Sequence, residues 1–178
     1  MTATPQQIVI NGFVSPLTAT APSIALDFYQ HIFEQHRHKI YSLAFWMTDN
    51  EITAEEISTT VFARTFSRTV PYSDSNLVGR EIDRNLVSVL RGYMPIGAVT
   101  LDVTPTAKES VKGNTKRIHL ERAVVQIPAT ERLVFLMHDV ESYNHADIAR
   151  TLGITEDESK YALCQARILV RELVSQMI

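Results

Sequence analysis

Apolar residues recur at spacings of three and four along most of this chain, a pattern typical of helices that bury one face. The first helical stretch runs from about Ile24 to Met47 and is broken by Asp49–Asn50. The motif Thr53-x-x-Glu56 predicts a capping box that opens a second helix, and a third is expected over about Leu77–Tyr93. The inward-facing residues expected in these helices are Phe28, Ile32, Phe33, Ile40, Leu43, Ala44, Met47, Ile57, Val61, Phe62, Phe66, Ile82, Leu86, Val89 and Leu90.

The stretch Tyr143–Leu173 has the pattern of two helices joined by a tight turn. Asn144 precedes the first helix, Gly153 supplies the turn, and Thr155-x-x-Glu158 forms a capping box at the start of the second. This is typical of a helix-turn-helix, whose second helix can enter the major groove of DNA. Helical pairs joined through glycine are also common in other all-α proteins, so the pattern alone does not establish DNA binding. The expected buried residues are Ile148, Ala149, Leu152, Leu163, Ala166, Val170 and Leu173.

The helical patterns fall into two groups, residues 24–93 and 118–178. The segment between them, 94–117, contains two prolines, two glycines and no clear helical period, which is typical of a linker. Its apolar alternation at Val99–Val103 could form a strand, but no obvious partner strand exists. Residues 1–23 are rich in Thr, Ala and Pro and carry no charged side chain, which favours a disordered tail. We therefore expect an all-α chain of two small helical domains joined by a flexible linker.

The charge of the chain limits what it can bind unaided. The net charge is −3, and residues 118–178 carry six Lys or Arg against nine Asp or Glu. Phosphate neutralisation dominates non-specific affinity for duplex DNA, so an acidic chain of this kind needs a larger partner to hold it there. A single cysteine, Cys164, excludes an internal disulfide, and no apolar run reaches membrane-spanning length. The expected location is the cytoplasm.

Two segments of the chain, in order, resemble the conserved regions of short bacterial sigma factors of the extracytoplasmic-function (ECF) type. The first segment resembles sigma region 2, with an Ala-Glu-Asp-Leu-x-Gln-x-x-Phe-like motif after a long helix and an Ile-Ala-Arg-Asn-Leu-like helix at Ile82–Arg91. The second resembles region 4, the promoter-reading helix-turn-helix. The residues that carry the likeness are Ala54, Glu55, Glu56, Ile57, Thr59, Phe62, Arg84, Asn85, Leu120, Ala123, Ile127, Pro128, Arg132, Phe135, Asp147, Ile148, Ala149, Leu152 and Gly153.

The resemblance implies a region 2 helical bundle and a region 4 helix-turn-helix that together bind core RNA polymerase and promoter DNA. Polymerase docking would use the second helix, whose Glu55, Glu56 and Thr59 could accept hydrogen bonds from arginines. Glutamates in a first turn also stabilise the helix dipole, and both roles can hold.

The resemblance implies that the third helix and the loop before it contact the minus-ten promoter element. Arginines along one side can follow a phosphate backbone, and Asn85 and Ser88 are short enough to reach base edges. The pair Arg80–Arg84 is like-charged at i,i+4, which favours a functional face over a merely solvated one. In the loop Ser67–Ser75, Arg68 and Tyr72 could stack on an extruded base. The residues expected at the minus-ten element are Arg68, Tyr72, Arg80, Arg84, Asn85, Ser88 and Arg91.

The second helix of the helix-turn-helix departs from the family pattern. Two positions that are usually basic are Ala162 and Gln165, and Glu156 and Asp157 lie at the end that would enter the groove. Acids there stabilise the helix but repel phosphates. We expect weak or altered reading of the minus-35 element, with contacts from Lys160, Tyr161, Cys164 and Arg167.

Other functions find less support in the residues. The histidines His31, His36 and His38 lack a completing ligand set, so we expect no metal site, and no nucleophile–base pair or phosphate loop indicates an enzyme or a cofactor. The serious alternative is a degenerate sigma-like regulator that binds protein partners without promoter recognition. An anti-sigma factor is a possible partner in either case, and we expect no membrane insertion.

Overall fold

The computed structural model describes residues 21–67, 74–97 and 117–178, and every regular element within these ranges is helical. Residues 1–20 of the predicted tail 1–23, Arg68, Tyr72 and the Val99–Val103 alternation lie outside the described residues. The last three residues of the predicted tail are helical, because the first helix begins at Ala21 and not at the predicted Ile24. No helix in the described ranges is both long and apolar enough to cross a bilayer. The helices are α1 (Ala21–Thr48), α2 (Glu51–Phe66), α3 (Ser75–Leu90), α4 (Arg117–Val124), α5 (Ala129–Phe135), α6 (His145–Leu152) and α7 (Glu156–Gln176), with a π-helical turn at Leu136–Val140 after α5.

The start of α2 differs from the sequence prediction. Asp49 ends α1 with a left-handed backbone (φ 52°), and the Asn50 side chain then accepts a hydrogen bond from the Thr53 amide at 2.9 Å. Asn50 is therefore the N-cap and α2 begins at Glu51. The predicted Thr53–Glu56 capping box was wrong because an earlier asparagine already satisfies the free amides of the first turn.

The α1–α2–α3 bundle buries nearly all of the apolar residues expected inside it. Ile32, Ile40, Ile57 and Ile82 are completely buried. Phe28 and Phe66 are only partly buried, and Phe33 is 39% exposed at the rim, where its ring contacts Phe62 with centroids 4.9 Å apart. In α3 the N-cap is Asp74, whose carboxylate accepts from the Asn76 and Leu77 amides, so the helix starts two residues before the predicted Leu77.

The helix-turn-helix forms as the sequence predicts. Asn144 caps α6, Gly153 takes the left-handed backbone (φ 72°), and Thr155 and Glu158 make both hydrogen bonds of the capping box. The predicted stripe on α7 is buried except for Leu173, which is half-buried.

The N-terminal part (α1–α3) and the C-terminal part (α4–α7) contact each other, with α6 against α3 and α5 against α1. The buried apolar residues of both parts form one continuous cluster. Ile96 is buried in it, and the Gly97 amide donates to the Thr130 hydroxyl at 3.1 Å. The first residues after α3 therefore lie against the C-terminal part.

Candidate nucleic-acid interface

The outer face of α2 carries the residues expected to dock on polymerase. Glu55, Glu56 and Thr59 are all exposed. Beside them a groove of about 770 Å³ runs between α1 and α2, and its walls include the aromatic rings of Phe33 and Tyr41. The α2 face thus places exposed carboxylates beside accessible aromatic surface, and aromatic residues are enriched at protein interfaces.

The polar side of α3 is less uniform than its sequence indicates. Arg80, Arg84 and Ser88 are exposed. Arg84 pairs with Glu81 at 3.2 Å, so this face is not purely like-charged as the Arg80–Arg84 spacing indicated. An i,i+3 ion pair of this kind is an ordinary feature of a solvated helix face.

Asn85 does not belong to the exposed side of α3. It is 8% exposed, and its side-chain amide donates to the Thr65 hydroxyl of α2 at 2.9 Å. The Thr65 hydroxyl in turn donates to the Val61 carbonyl at 2.8 Å. In this conformation Asn85 joins two helices and cannot reach a base edge, because its polar atoms face the core.

Arg91 follows the last residue of α3 and contacts the C-terminal part of the chain. Its guanidinium donates to the Leu152 carbonyl at 2.6 Å and to the Ile96 carbonyl at 3.3 Å. Leu152 is the last residue of α6, so Arg91 satisfies one of the carbonyls that a helix end leaves free. Arg91 is thus exposed, but its guanidinium is engaged within the chain.

On α7, the four residues expected at the minus-35 element differ in availability. Cys164 is exposed, Tyr161 is half-buried, and Lys160 pairs with Asp157 at 3.1 Å. Arg167 makes two parallel hydrogen bonds to Asp139 of the π-helical turn, at 2.9 and 2.6 Å. These bonds hold the pKa of Asp139 below its usual value, so Asp139 is charged at neutral pH and occupies the arginine. Sequence reasoning missed Asp139 because it lies 28 residues from Arg167 and shares no motif with it.

The two positions of α7 that are usually basic in the family are buried in this structure. Ala162 is completely buried, and Gln165 is 4% exposed with its side-chain oxygen lacking a partner. Both residues face the packed side of α7 and not the solvent. In this conformation their lack of charge suits burial, and the acidic first turn remains the main electrostatic departure of the helix.

One junction between the two parts is a group of three side chains that the sequence did not single out. Lys39 of α1 donates to Asp83 of α3 at 2.9 Å, and the Tyr143 hydroxyl donates to the same carboxylate oxygen at 2.8 Å. Lys39 also lies against Tyr143, with its ammonium hydrogen-bonded to the hydroxyl and 5.0 Å from the ring centre. Burial, and then the charge of Asp83, raise the pKa of Tyr143, so its hydroxyl keeps the proton that it donates.

Comparison with known proteins shows where this architecture belongs. The family model "Sigma-70, region 4" matches residues 117–169, the span that contains α4, α5, α6 and most of α7. The ECF RNA polymerase sigma factor SigE of Mycolicibacterium smegmatis is 21% identical over 169 residues, 89% of this chain. These comparisons relate the chain to the ECF sigma factors.

Two further proteins of similar sequence or fold are also sigma factors. The ECF RNA polymerase sigma factor SigM of Mycobacterium tuberculosis is 30% identical over 76 residues, 43% of this chain. The chain spans 66% of the length of SigE and 38% of the length of SigM, less than two thirds of either. Its fold is similar to that of the sigma factor RpoE of Bartonella quintana, solved in complex with the anti-sigma factor NepR, with a TM-score of 0.59 and 14% identity over 84% of this chain and 97% of that one.

Proposed function

We propose that this chain is a transcription initiation factor that binds core RNA polymerase and directs it to promoters. The observation that carries the proposal is the region 4 match, which coincides with a fully capped helix-turn-helix in a chain that aligns with SigE along 89% of its length. The net charge of −3 supports a role in which polymerase supplies the affinity for DNA that the chain lacks.

The proposal assigns separate tasks to separate surfaces. Residues 24–93 form the polymerase-binding and minus-ten module, residues 118–178 the minus-35 module, and 94–117 the linker. The α2 face with Glu55, Glu56 and Thr59 docks on polymerase, because it is exposed and rich in acceptors. Arg80, Arg84 and Ser88 contact the minus-ten element together with Arg68 and Tyr72. The site of action is the cytoplasm, where the polymerase works.

The alternative function is a sigma-like regulator that binds proteins without reading promoters. The engagement of Arg167 by Asp139 favours it, since this arginine is the best phosphate ligand among the minus-35 candidates. An anti-sigma factor is a proposed partner under either function, because the similar RpoE was solved with one.

In vitro transcription with core polymerase separates the two functions. We expect promoter-dependent initiation by the wild type and a loss of about tenfold or more in Arg80→Ala/Arg84→Ala, because each lost phosphate contact weakens promoter binding. Arg117→Ala/Arg122→Ala, which removes two exposed arginines of α4, serves as the matched control for loss of positive charge. Two results would support the regulator instead. One is initiation that does not depend on a promoter. The other is a folded wild type that binds polymerase but gives no initiation.

A further inference from the structure

We propose that Lys39, Asp83 and Tyr143 form a latch that holds the two parts of the chain closed until polymerase binding opens it. The inference rests on the proposed function for its role in transcription, but the latch itself is a property of the free chain. It follows from the contacts across the junction and from the geometry that two separated promoter elements require.

The latch lies at the junction and is largely shielded from water. The side chains of Lys39 and Asp83 are 19% and 13% exposed, so their ion pair is far better protected than the surface pairs of the same chain. Charge-assisted hydrogen bonds in such surroundings are stronger than neutral ones. Three helical regions meet in the latch, because Lys39 lies on α1, Asp83 on α3 and Tyr143 just before α6.

Two further arginines cross the same junction. Arg91 donates to the Leu152 carbonyl at 2.6 Å, and Arg132 of α5 donates to the Met47 carbonyl near the end of α1 at 2.9 Å. Both bonds join the two parts through a charged donor and a main-chain acceptor. The closed arrangement is therefore specified by directional contacts and not by apolar burial alone.

The closed arrangement cannot serve two promoter elements at once. The minus-ten and minus-35 elements are, by their names, about 25 base pairs apart, which is about 85 Å along B-form DNA. In the closed chain, α6 of the helix-turn-helix lies directly on α3, and a cleft of about 300 Å³ that includes Arg80 and Arg84 has Asp147 and Arg150 on its opposite wall. Part of the α3 face is thus covered by the C-terminal part.

The covalent connection allows the two parts to separate. Nineteen residues, 98–116, join them, and a chain of that length reaches at most about 65 Å. The α2 face with Glu55, Glu56 and Thr59 stays exposed in the closed form, so polymerase can engage it before the latch opens. Opening also releases Arg91 from the Leu152 carbonyl, which returns it to the minus-ten surface.

The first test measures the separation of the two parts in the free full-length chain. One label is placed on the exposed Cys164 of α7 and the other on Gln30→Cys of α1, and pulsed spin-resonance distances are recorded. We expect one short, narrow distance in the wild type and an open population at least about tenfold larger in Asp83→Asn/Tyr143→Phe, since two charge-assisted bonds are lost. Glu34→Gln, which removes the carboxylate of an exposed α1 ion pair, is the control and should leave the distance unchanged. An unchanged distance in the double variant, with its fold intact by circular dichroism, would overturn the latch.

The second test locks the junction reversibly. In a Cys164→Ser background, Asp83→Cys and Tyr143→Cys are bridged by a thiol-reactive reagent that contains a cleavable disulfide. We expect the bridged chain to lose promoter-dependent initiation at least tenfold and to regain it on reduction. Equal activity before and after reduction would show that opening is not needed. If neither form initiates, the proposed function fails, and the distance measurement still decides whether the latch exists.

Discussion

Asn85 and Ser88 lie nearly one turn apart on α3, yet their environments are opposite. Asn85 is buried and bonded to Thr65, whereas Ser88 is exposed. Removing one member of a buried donor–acceptor pair lowers stability mainly because the other polar group is left without a hydrogen-bond partner. Sequence reasoning placed both on one DNA-facing side, because both are polar and the hydrogen-bond partner, 20 residues away, cannot be identified from helical periodicity.

We predict that Asn85→Ala lowers the free energy of unfolding by about 1–3 kcal/mol, because the Thr65 hydroxyl oxygen loses its buried donor. Ser88→Ala should stay within about 0.5 kcal/mol of the wild type, as exposed substitutions usually do. Urea denaturation followed by circular dichroism measures both. Equal stability of the two variants would show that the Asn85–Thr65 bond contributes nothing. Until this is known, a transcription defect of an Asn85 variant does not report on base contact.

At the scale of helices, the parts of the fold that depend on short-range signals were predictable. The Asn144 cap, the Gly153 turn and the Thr155–Glu158 box all use residues within a few positions of one another, and all three formed. The Thr53 cap failed only because Asn50 competes for the same turn. Pairings such as Asp139 with Arg167 could not be predicted from the sequence, because they depend on how the helices pack and not on local pattern.

The pairing of Asp139 with Arg167 leads to a prediction about α7 as a DNA-reading helix. Asp139→Asn should free the guanidinium and tighten binding of the full-length chain to duplex DNA at low salt. The plot of log affinity against log salt should steepen by about one, the effect of one added phosphate contact. Fluorescence anisotropy over a salt series measures this. Glu34→Gln gives the same change in net charge far from α7 and should leave the slope unchanged.

The same variant has a predicted effect on stability with a definite pH dependence. Arg167 lowers the pKa of folded Asp139 below its unfolded value, so the bond stabilises the fold at neutral pH and this contribution is lost as the pH falls through the folded pKa. Because the Arg167 side chain is 52% exposed, we expect a loss of only about 0.5–1 kcal/mol in Asp139→Asn at pH 7. The difference from the wild type should shrink below about pH 4. If the stability difference between the wild type and Asp139→Asn is unchanged at pH 3, the effect arises from packing and not from the charge of Asp139.

For the whole molecule, the question is whether the two parts fold as one unit. Their buried apolar residues are continuous, and the polar contacts between them involve residues far apart in sequence, such as Met47 and Arg132. Sequence periodicity predicted the helices of both parts but could not predict this association, because each part has a complete helical pattern of its own. The association is what makes a closed, regulated form of the chain possible.

Arg132 offers the most direct test of this association. Its guanidinium donates to the Met47 carbonyl at 2.9 Å and to the Ile127 carbonyl at 3.0 Å, and it also bonds the Val125 carbonyl. One planar group thus ties the end of α1 to the segment between α4 and α5. Lysine has a compact ammonium on a flexible stem and cannot reproduce this fork of donors.

We predict that Arg132→Lys lowers the free energy of unfolding by about 2–3 kcal/mol, because it leaves shielded carbonyls without donors. The variant should also unfold in two calorimetric transitions where the wild type shows one, since the N-terminal part then loses a main tie to the C-terminal part. Arg122→Lys, at an exposed position of α4, should retain the single transition and its midpoint. If Arg132→Lys keeps a single transition with equal calorimetric and van't Hoff enthalpies, the apolar contact and the other junction bonds couple the two parts without Arg132. In that case Arg132 supports only the local turn between α4 and α5.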